Sequence, residues 1–228
     1  MAHGVSFAGQ GMTVTGPDGT VFENVDLEVE PASLAVVAGE SGSGRTSLLL
    51  ALSGRLSLTA GRLEVGGHRL PAQAATVRRL VAPARLRPGV ELEPRLRVRE
   101  VITETLVVAG ANRQAIGRSC ALVGLHPEGG ELVERLPPVE QLLLAVALAV
   151  AGRPGALVVD DVDTGLSPES RERAWQALHT VTETGVTVVA TATEAPAWAP
   201  VALDLRRSGS PPELAFFDGL PEQPQEDR

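Results

Sequence analysis

One stretch constrains this chain more than any other. It is GESGSGRTSLLLALSG, Gly39 to Gly54, which follows the apolar run Leu34 to Val37 and opens a Leu-rich helical pattern. The order is strand, glycine-rich loop, helix. Gly39, four residues, Gly44, a basic residue and the hydroxyl of Thr46 fit the phosphate-binding P-loop, in which small residues let successive backbone N–H groups curl around phosphate oxygens at a helix N-terminus. The residues expected to bind a nucleotide are therefore Gly39, Gly42, Ser43, Gly44, Arg45, Thr46 and Ser47. A plain Gly/Ser turn is the simpler reading of such a stretch, but the preceding strand-like run, the following helix and the hydroxyl at Thr46 agree on a P-loop. Arg45 stands where the pattern has lysine. Its planar fork meets phosphate differently from a compact ammonium, so binding is expected to be weakened rather than abolished.

The chain has 228 residues, 43% of them hydrophobic, enough for one full core with a subdomain. The longest apolar run, Leu142 to Ala151, is about half the roughly 20 residues a membrane-spanning helix needs. The N-terminus has no basic segment leading into an apolar one, so a soluble, non-exported chain is expected. A single cysteine, Cys120, excludes an internal disulfide and fits a reducing compartment. The net charge of −8 speaks against a nucleic-acid partner, which needs a basic face. All 20 basic residues are arginine, so Arg45 partly follows a chain-wide bias.

Val5 to Val14 and Val21 to Val29 alternate in polarity around the turn GPDG and predict a β-hairpin. Gly61 to Leu70 reads as a further short strand with a Gly-Gly turn. Arg78 to Arg99, rich in arginine and proline and interleaved with Glu91 and Glu93, reads as a solvated irregular face rather than an anion site. Val98 to Val123 and Gln141 to Ala151 are helical in pattern, and Ala156 to Val159 is a β-rich run ending in Asp160 and Asp161. A helix over Pro168 to Val181 then precedes a strand at Val186 to Ala190. Strand, crossover, strand argues for a parallel sheet flanked by helices. Residues 207–228, Pro/Glu-rich, are expected to be a disordered tail.

With these segments placed, the chain resembles the nucleotide-binding subunit of ATP-binding cassette (ABC) transporters over roughly Val5 to Glu194. Besides the P-loop, LPPVEQLLLAVALAVAGRPGALVVDDVDTGLS at Leu136 to Ser167 is similar, without a gap, to the family's signature helix, GRP turn, Walker B strand and D-loop. LRVRE at Leu96 to Glu100 resembles the segment after its Q-loop. The resemblance implies an α/β P-loop NTPase fold of ABC type, with a parallel sheet, an N-terminal antiparallel β part and a helical subdomain at about 89–150, all within 1–206. It also implies ATP and Mg2+ as cofactors, with Thr46 and Asp160 holding the metal. A strand-terminal aspartate can instead merely cap a turn; the P-loop favours the metal role.

The departures lie at the turnover positions. Asp161 stands where the family has a catalytic glutamate, with one methylene less reach. Thr193 replaces the switch histidine, Ala84 the Q-loop glutamine, and Ser167 the D-loop aspartate. Val14 to Gly16 offer no aromatic for adenine, and Phe22 reads as a buried strand residue. The implied function is an ATP-binding subunit of an ABC transporter with weak or absent hydrolysis. It would sit at the cytoplasmic face of the membrane with a transmembrane partner and either a second nucleotide-binding subunit or its own copy. The alternative is a non-catalytic regulatory or interaction protein that keeps the fold. The resemblance thus implies an ABC-type ATPase by fold, with degenerate catalytic motifs.

Overall fold

A computed structural model describes residues 4–108, 110–199 and 201–205; the expected tail at 207–228 lies outside them. Two sheets form. Strands β1 (Phe7–Gly16), β2 (Gly19–Val29), β4 (Ala60–Val65) and β5 (His68–Leu70) make an antiparallel sheet in the order β2-β1-β4-β5. Strands β3 (Leu34–Gly39), β6 (Val81–Arg85), β7 (Ala156–Val159), β8 (Thr187–Ala192) and β9 (Val201–Leu205) make a parallel sheet in the order β6-β7-β8-β3-β9.

The predicted hairpin is β1 and β2, closing at Gly16 opposite Gly19. Its alternation is broken once in each strand, at Gly11 in β1 and at Asn24 in β2. Phe7 and Gly9 face the core, but the pairing shifts between Gly9 and Met12, so Met12 rather than Gly11 turns inward. Gly11 takes φ 56° in this bulge, and its N–H donates to Asp26 Oδ1 at 2.6 Å.

The parallel sheet is buried on both faces, and the strand period of two divides its side chains between two cores. Leu34 and Val36 of β3, Leu157 and Val159 of β7, and Val188 and Ala190 of β8 face a core built with the helices α3 (Val98–Val108), α4 (Arg113–Leu122), α5 (Pro138–Ala151) and α6 (Pro168–Glu183). Ala35, Val37, Ala156, Val158 and Val189 face the other way. There they pack with the antiparallel sheet and with α1 (Arg45–Leu52) and α2 (Ala74–Leu80). The helix α5 explains its near-continuous Leu/Ala composition: it packs on α4, α6 and the strands β6 and β7, and most of its circumference is buried.

Two segments differ from the sequence expectation. Arg78 to Arg99 is not an irregular face throughout: α2 ends within it at Leu80, and Val81–Arg85 forms the edge strand β6, pairing with β7. Burial of Val81 and Ala84 drives this despite the arginines around them. Val201–Leu205, read without an element, is β9, which pairs with β3 and covers its outer edge.

Because the large sheet is parallel, β3, β6, β7 and β8 all end at one edge. From β3 the chain leaves through α1 on one face, and from β7 through α6 on the other. The crevice between β3 and β8 is therefore a topological switch point, where open α/β sheets bind ligands.

Candidate functional site

The loop leaving β3 is shaped by close approaches. A Cβ on Gly44 would lie 2.8 Å from the Val21 carbonyl, and one on Gly39 would lie 2.5 Å from the Leu205 carbonyl. Gly42 and Gly44 have φ 81° and 91°, the left-handed conformation that glycine adopts freely. Phe22 is buried beneath this loop, its ring edge 3.3 Å from where a Gly44 Cβ would be, which is the core position expected for it.

Helix α1 starts at Arg45 with no side-chain cap and no acidic residue in its first turn. The amides of Arg45, Thr46 and Ser47 have no acceptor within the helix, as at any helix start, and the first helical bond comes from the Leu48 N–H to the Gly44 carbonyl. Two further polar groups here are buried and unpartnered: Ser43 Oγ and Arg45 Nη1. Buried polar atoms are nearly always bonded, so a cluster of donors without acceptors marks a place for an external anion.

Facing the loop are the ends of β7 and β8. Asp160 is fully buried; its Oδ2 accepts from Thr46 Oγ1 at 2.6 Å and its Oδ1 from Thr191 Oγ1 at 2.5 Å. Thr191 Oγ1 also accepts from the Asp161 N–H at 2.9 Å. Asp161 has φ 49°, and its Oδ1 accepts from Arg45 Nη2 at 2.8 Å. Burial and the neighbouring Asp160 raise the Asp161 carboxyl above the usual aspartate range, with Arg45 and Arg85 acting in the opposite sense.

Arg85 closes the site from β6. Its Nε and Nη2 donate to the Asp160 carbonyl at 3.1 and 2.8 Å, and Nη2 donates also to the Asp161 carbonyl. Burial is the main cause that lowers the Arg85 guanidinium from its ordinary value. Ala84, expected at this position, instead points into the helical core, and its successor reaches the site. Nothing in the sequence marks Arg85: its place comes from the pairing of β6 with β7, which sets it opposite Val159, one residue before Asp160.

A third carboxylate, Asp163, was also missed. It is buried and accepts from the Thr193 N–H at 3.1 and 2.9 Å and from the Glu194 N–H at 3.1 Å. The segment after β8 is thus held by its backbone, while Thr193 itself is exposed. Ser167 caps α6, its Oγ accepting from the Ser170 N–H at 3.2 Å. Pro137 is the N-cap of α5, Pro138 lies in its first turn, Val139 is buried, and Glu140 lies 3.8 Å from Arg173.

The comparisons with known proteins agree with this geometry. The ABC transporter family description matches residues 22–185. An ABC transporter ATP-binding protein of Methanosarcina acetivorans is 31% identical over 177 residues, 74% of this chain and 33% of that protein. The cell division ATP-binding protein FtsE of Streptococcus pneumoniae is 27% identical over 179 residues, 75% of this chain and 76% of that protein. The chain spans about a third of the length of several of its curated relatives. Among solved structures, a dimeric bacterial ABC transporter cassette superposes with a TM-score of 0.69 at 19% identity, covering 82% of this chain and 88% of that one. An ATP-binding protein of an ABC transporter from Pyrococcus furiosus does so with 0.73 at 16%, covering 88% and 97%. With the family match across most of the chain and the P-loop facing a strand-end aspartate, this chain belongs to the ABC transporter family, as a nucleotide-binding cassette.

Proposed function

We propose that the chain is the ATP-binding subunit of an ABC transporter complex, binding Mg-ATP at the P-loop with weak or absent hydrolysis. The observation that carries this is the meeting of Thr46 Oγ1 and Asp160 Oδ2 at 2.6 Å beside unpartnered donors at Ser43 and Arg45. A hydroxyl and a carboxylate are hard oxygen donors of the kind Mg2+ takes, so Thr46 and Asp160 fit the metal. Held there by Thr46 and Asp160, Mg2+ would supply neutralisation of the phosphate charge.

The other roles belong to the chain itself. The free amides of Arg45, Thr46 and Ser47 and the Ser43 hydroxyl orient phosphate, and Arg45 Nη1 supplies a charged donor. Asp161, the candidate base, has its carboxylate on Arg45 rather than free to position water. That engagement, with the short Thr193, supports weak turnover. No described helix is long and apolar enough to cross a membrane. In this reading the chain works with a transmembrane subunit at the cytoplasmic face of the membrane, and with a second nucleotide-binding subunit or a second copy.

The second reading, a regulatory or interaction protein that keeps the fold without nucleotide, is favoured by one observation: every carboxylate of the site already has a protein donor. Calorimetric titration with Mg-ATP separates the two. Saturable binding that falls about tenfold or more in Thr46→Ala, for loss of a metal-linked oxygen, supports the first. Absence of binding at millimolar nucleotide leaves the second.

A further inference from the structure

Three of the described arginines that are half-buried or better face a carboxylate. Arg45 faces Asp161, Arg171 faces Glu194, and Arg173, on the rim, faces Glu140. Buried Arg85 instead meets the carbonyls of Asp160 and Asp161, and half-buried Arg55 and exposed Arg78 meet no carboxylate among the described residues. Arg55 and Arg78 line one concave pocket of about 300 Å3 beyond the C-terminal end of α1, walled by the loop Arg55 to Thr59, by β4 and β5, and by the start of α2. No carboxylate lines it. Among the described residues, neither arginine has an acidic partner at salt-bridge distance.

Each arginine makes a structural contact with one nitrogen only. Arg55 Nη1 donates to the Ser53 carbonyl at 2.9 Å and the Val81 carbonyl at 3.3 Å, and Arg78 Nη1 donates to the Gly54 carbonyl at 3.2 Å. These bonds cap the end of α1 and account for why the side chains lie there. They leave Nε and Nη2 of both guanidiniums without a protein acceptor among the described residues. Two cations held together raise each other's cost. Burial first, and the charge of Arg78 second, push the Arg55 guanidinium below its ordinary value, and no carboxylate offsets them. In a chain with a net charge of −8, acidic side chains were not in short supply to fill this place.

The rest of the lining is mixed: Leu56, Leu63 and Leu70 stand beside Ser57 and Thr59. Charged donors beside apolar side chains are the usual composition of a small-molecule site, and this volume lies at its lower end. We propose that the pocket binds a small phosphate monoester, its dianionic head on Arg55 and Arg78 and a compact apolar body against Leu56, Leu63 and Leu70. Two unneutralised guanidiniums match a dianion better than a monoanionic carboxylate, and the forked donors suit phosphate oxygens. The site lies beyond the opposite end of α1 from the P-loop, a helix about 12 Å long by its rise per residue, and does not depend on nucleotide binding there.

The test uses the full chain, with phenyl phosphate, inorganic phosphate and benzoate as probes, in calorimetry and amide-resolved NMR. Phenyl phosphate is expected to bind more tightly than inorganic phosphate or benzoate and to shift the amides of Leu56 to Gly61. Arg78→Gln should weaken it about tenfold or more, the loss of one charge-assisted contact. Arg78 is exposed and its replacement leaves the core intact; Arg55→Gln is the second variant, expected to act likewise. Shifts confined to Gly42 to Ser47, benzoate binding as tight as phenyl phosphate, or an affinity unchanged in Arg78→Gln would each overturn the proposal.

Discussion

Asp161 is held in a backbone conformation, φ 49°, that asparagine adopts nearly as readily as aspartate, so Asp161→Asn changes charge with little change of shape. Its carboxyl is raised by burial and then by Asp160, beyond what Arg45 and Arg85 recover. The folded state therefore keeps the proton longer than the unfolded chain does. The contribution of Asp161 to stability is fully present below the ordinary aspartate range and is lost as pH rises through the shifted value. Asp161→Asn carries no such penalty, so its Tm should exceed that of the wild type at neutral pH, the gap closing as pH falls through the aspartate range. Thermal melts of both proteins across acid to neutral pH decide it. A wild type more stable at neutral pH would mean that Arg45 returns more than burial removes.

At the scale of elements, the site is the set of ends of β3, β6, β7 and β8, and what fixes those ends is partly hidden in the sequence. The P-loop and Asp160 were legible because glycine spacing and a strand-terminal acid are local patterns. Arg85 and Asp163 were not, because each acts on a backbone brought close only by strand pairing: Arg85 on the carbonyls of 160 and 161, Asp163 on the amides of 193 and 194. That β6 turns Ala84 to the helical core and Arg85 to the site has the same cause, since register is set by packing rather than composition. Arg85→Leu leaves two strand-end carbonyls without their charged donor and should cost about 2–3 kcal/mol, lowering Tm by about 5–10 °C in a two-state melt. Asp163→Ala should cost about 2 kcal/mol and act locally. Hydrogen exchange at Thr193 and Glu194 should quicken while the amides of β3 stay protected, and uniform acceleration across the sheet would show instead that Asp163 supports the whole fold.

Across the whole molecule, the two-sheet architecture was readable because hydrophobic period and the gap-free order of segments both pointed to it; β9 was not, since its five residues carry one alternation and gain their meaning only by covering β3. The same whole-molecule view governs turnover. In the ATP sandwich implied by the family, the start of α5 closes over phosphate held by the opposite subunit, a task for free amides, a hydroxyl and a positive helix end. Here Pro137 and Pro138 have no N–H to donate, Val139 is buried in the core, and Glu140 brings a carboxylate, only loosely neutralised by Arg173 at 3.8 Å. The same residues serve the helix well, because proline suits its first turn and glutamate its dipole. Restoring Asp161→Glu and Thr193→His therefore leaves each site of a homodimer facing a start of α5 that repels phosphate, and no appreciable ATPase activity is expected. Replacing Pro137 to Glu140 by Ser-Gly-Gly-Gln in addition is expected to be required, at some cost in helix stability from two glycines of about 1 kcal/mol each. Phosphate release by the purified double variant is the measurement: robust turnover that disappears with Thr46→Ala, obtained without repair of α5, would show that the P-loop side alone suffices and that the start of α5 takes no part.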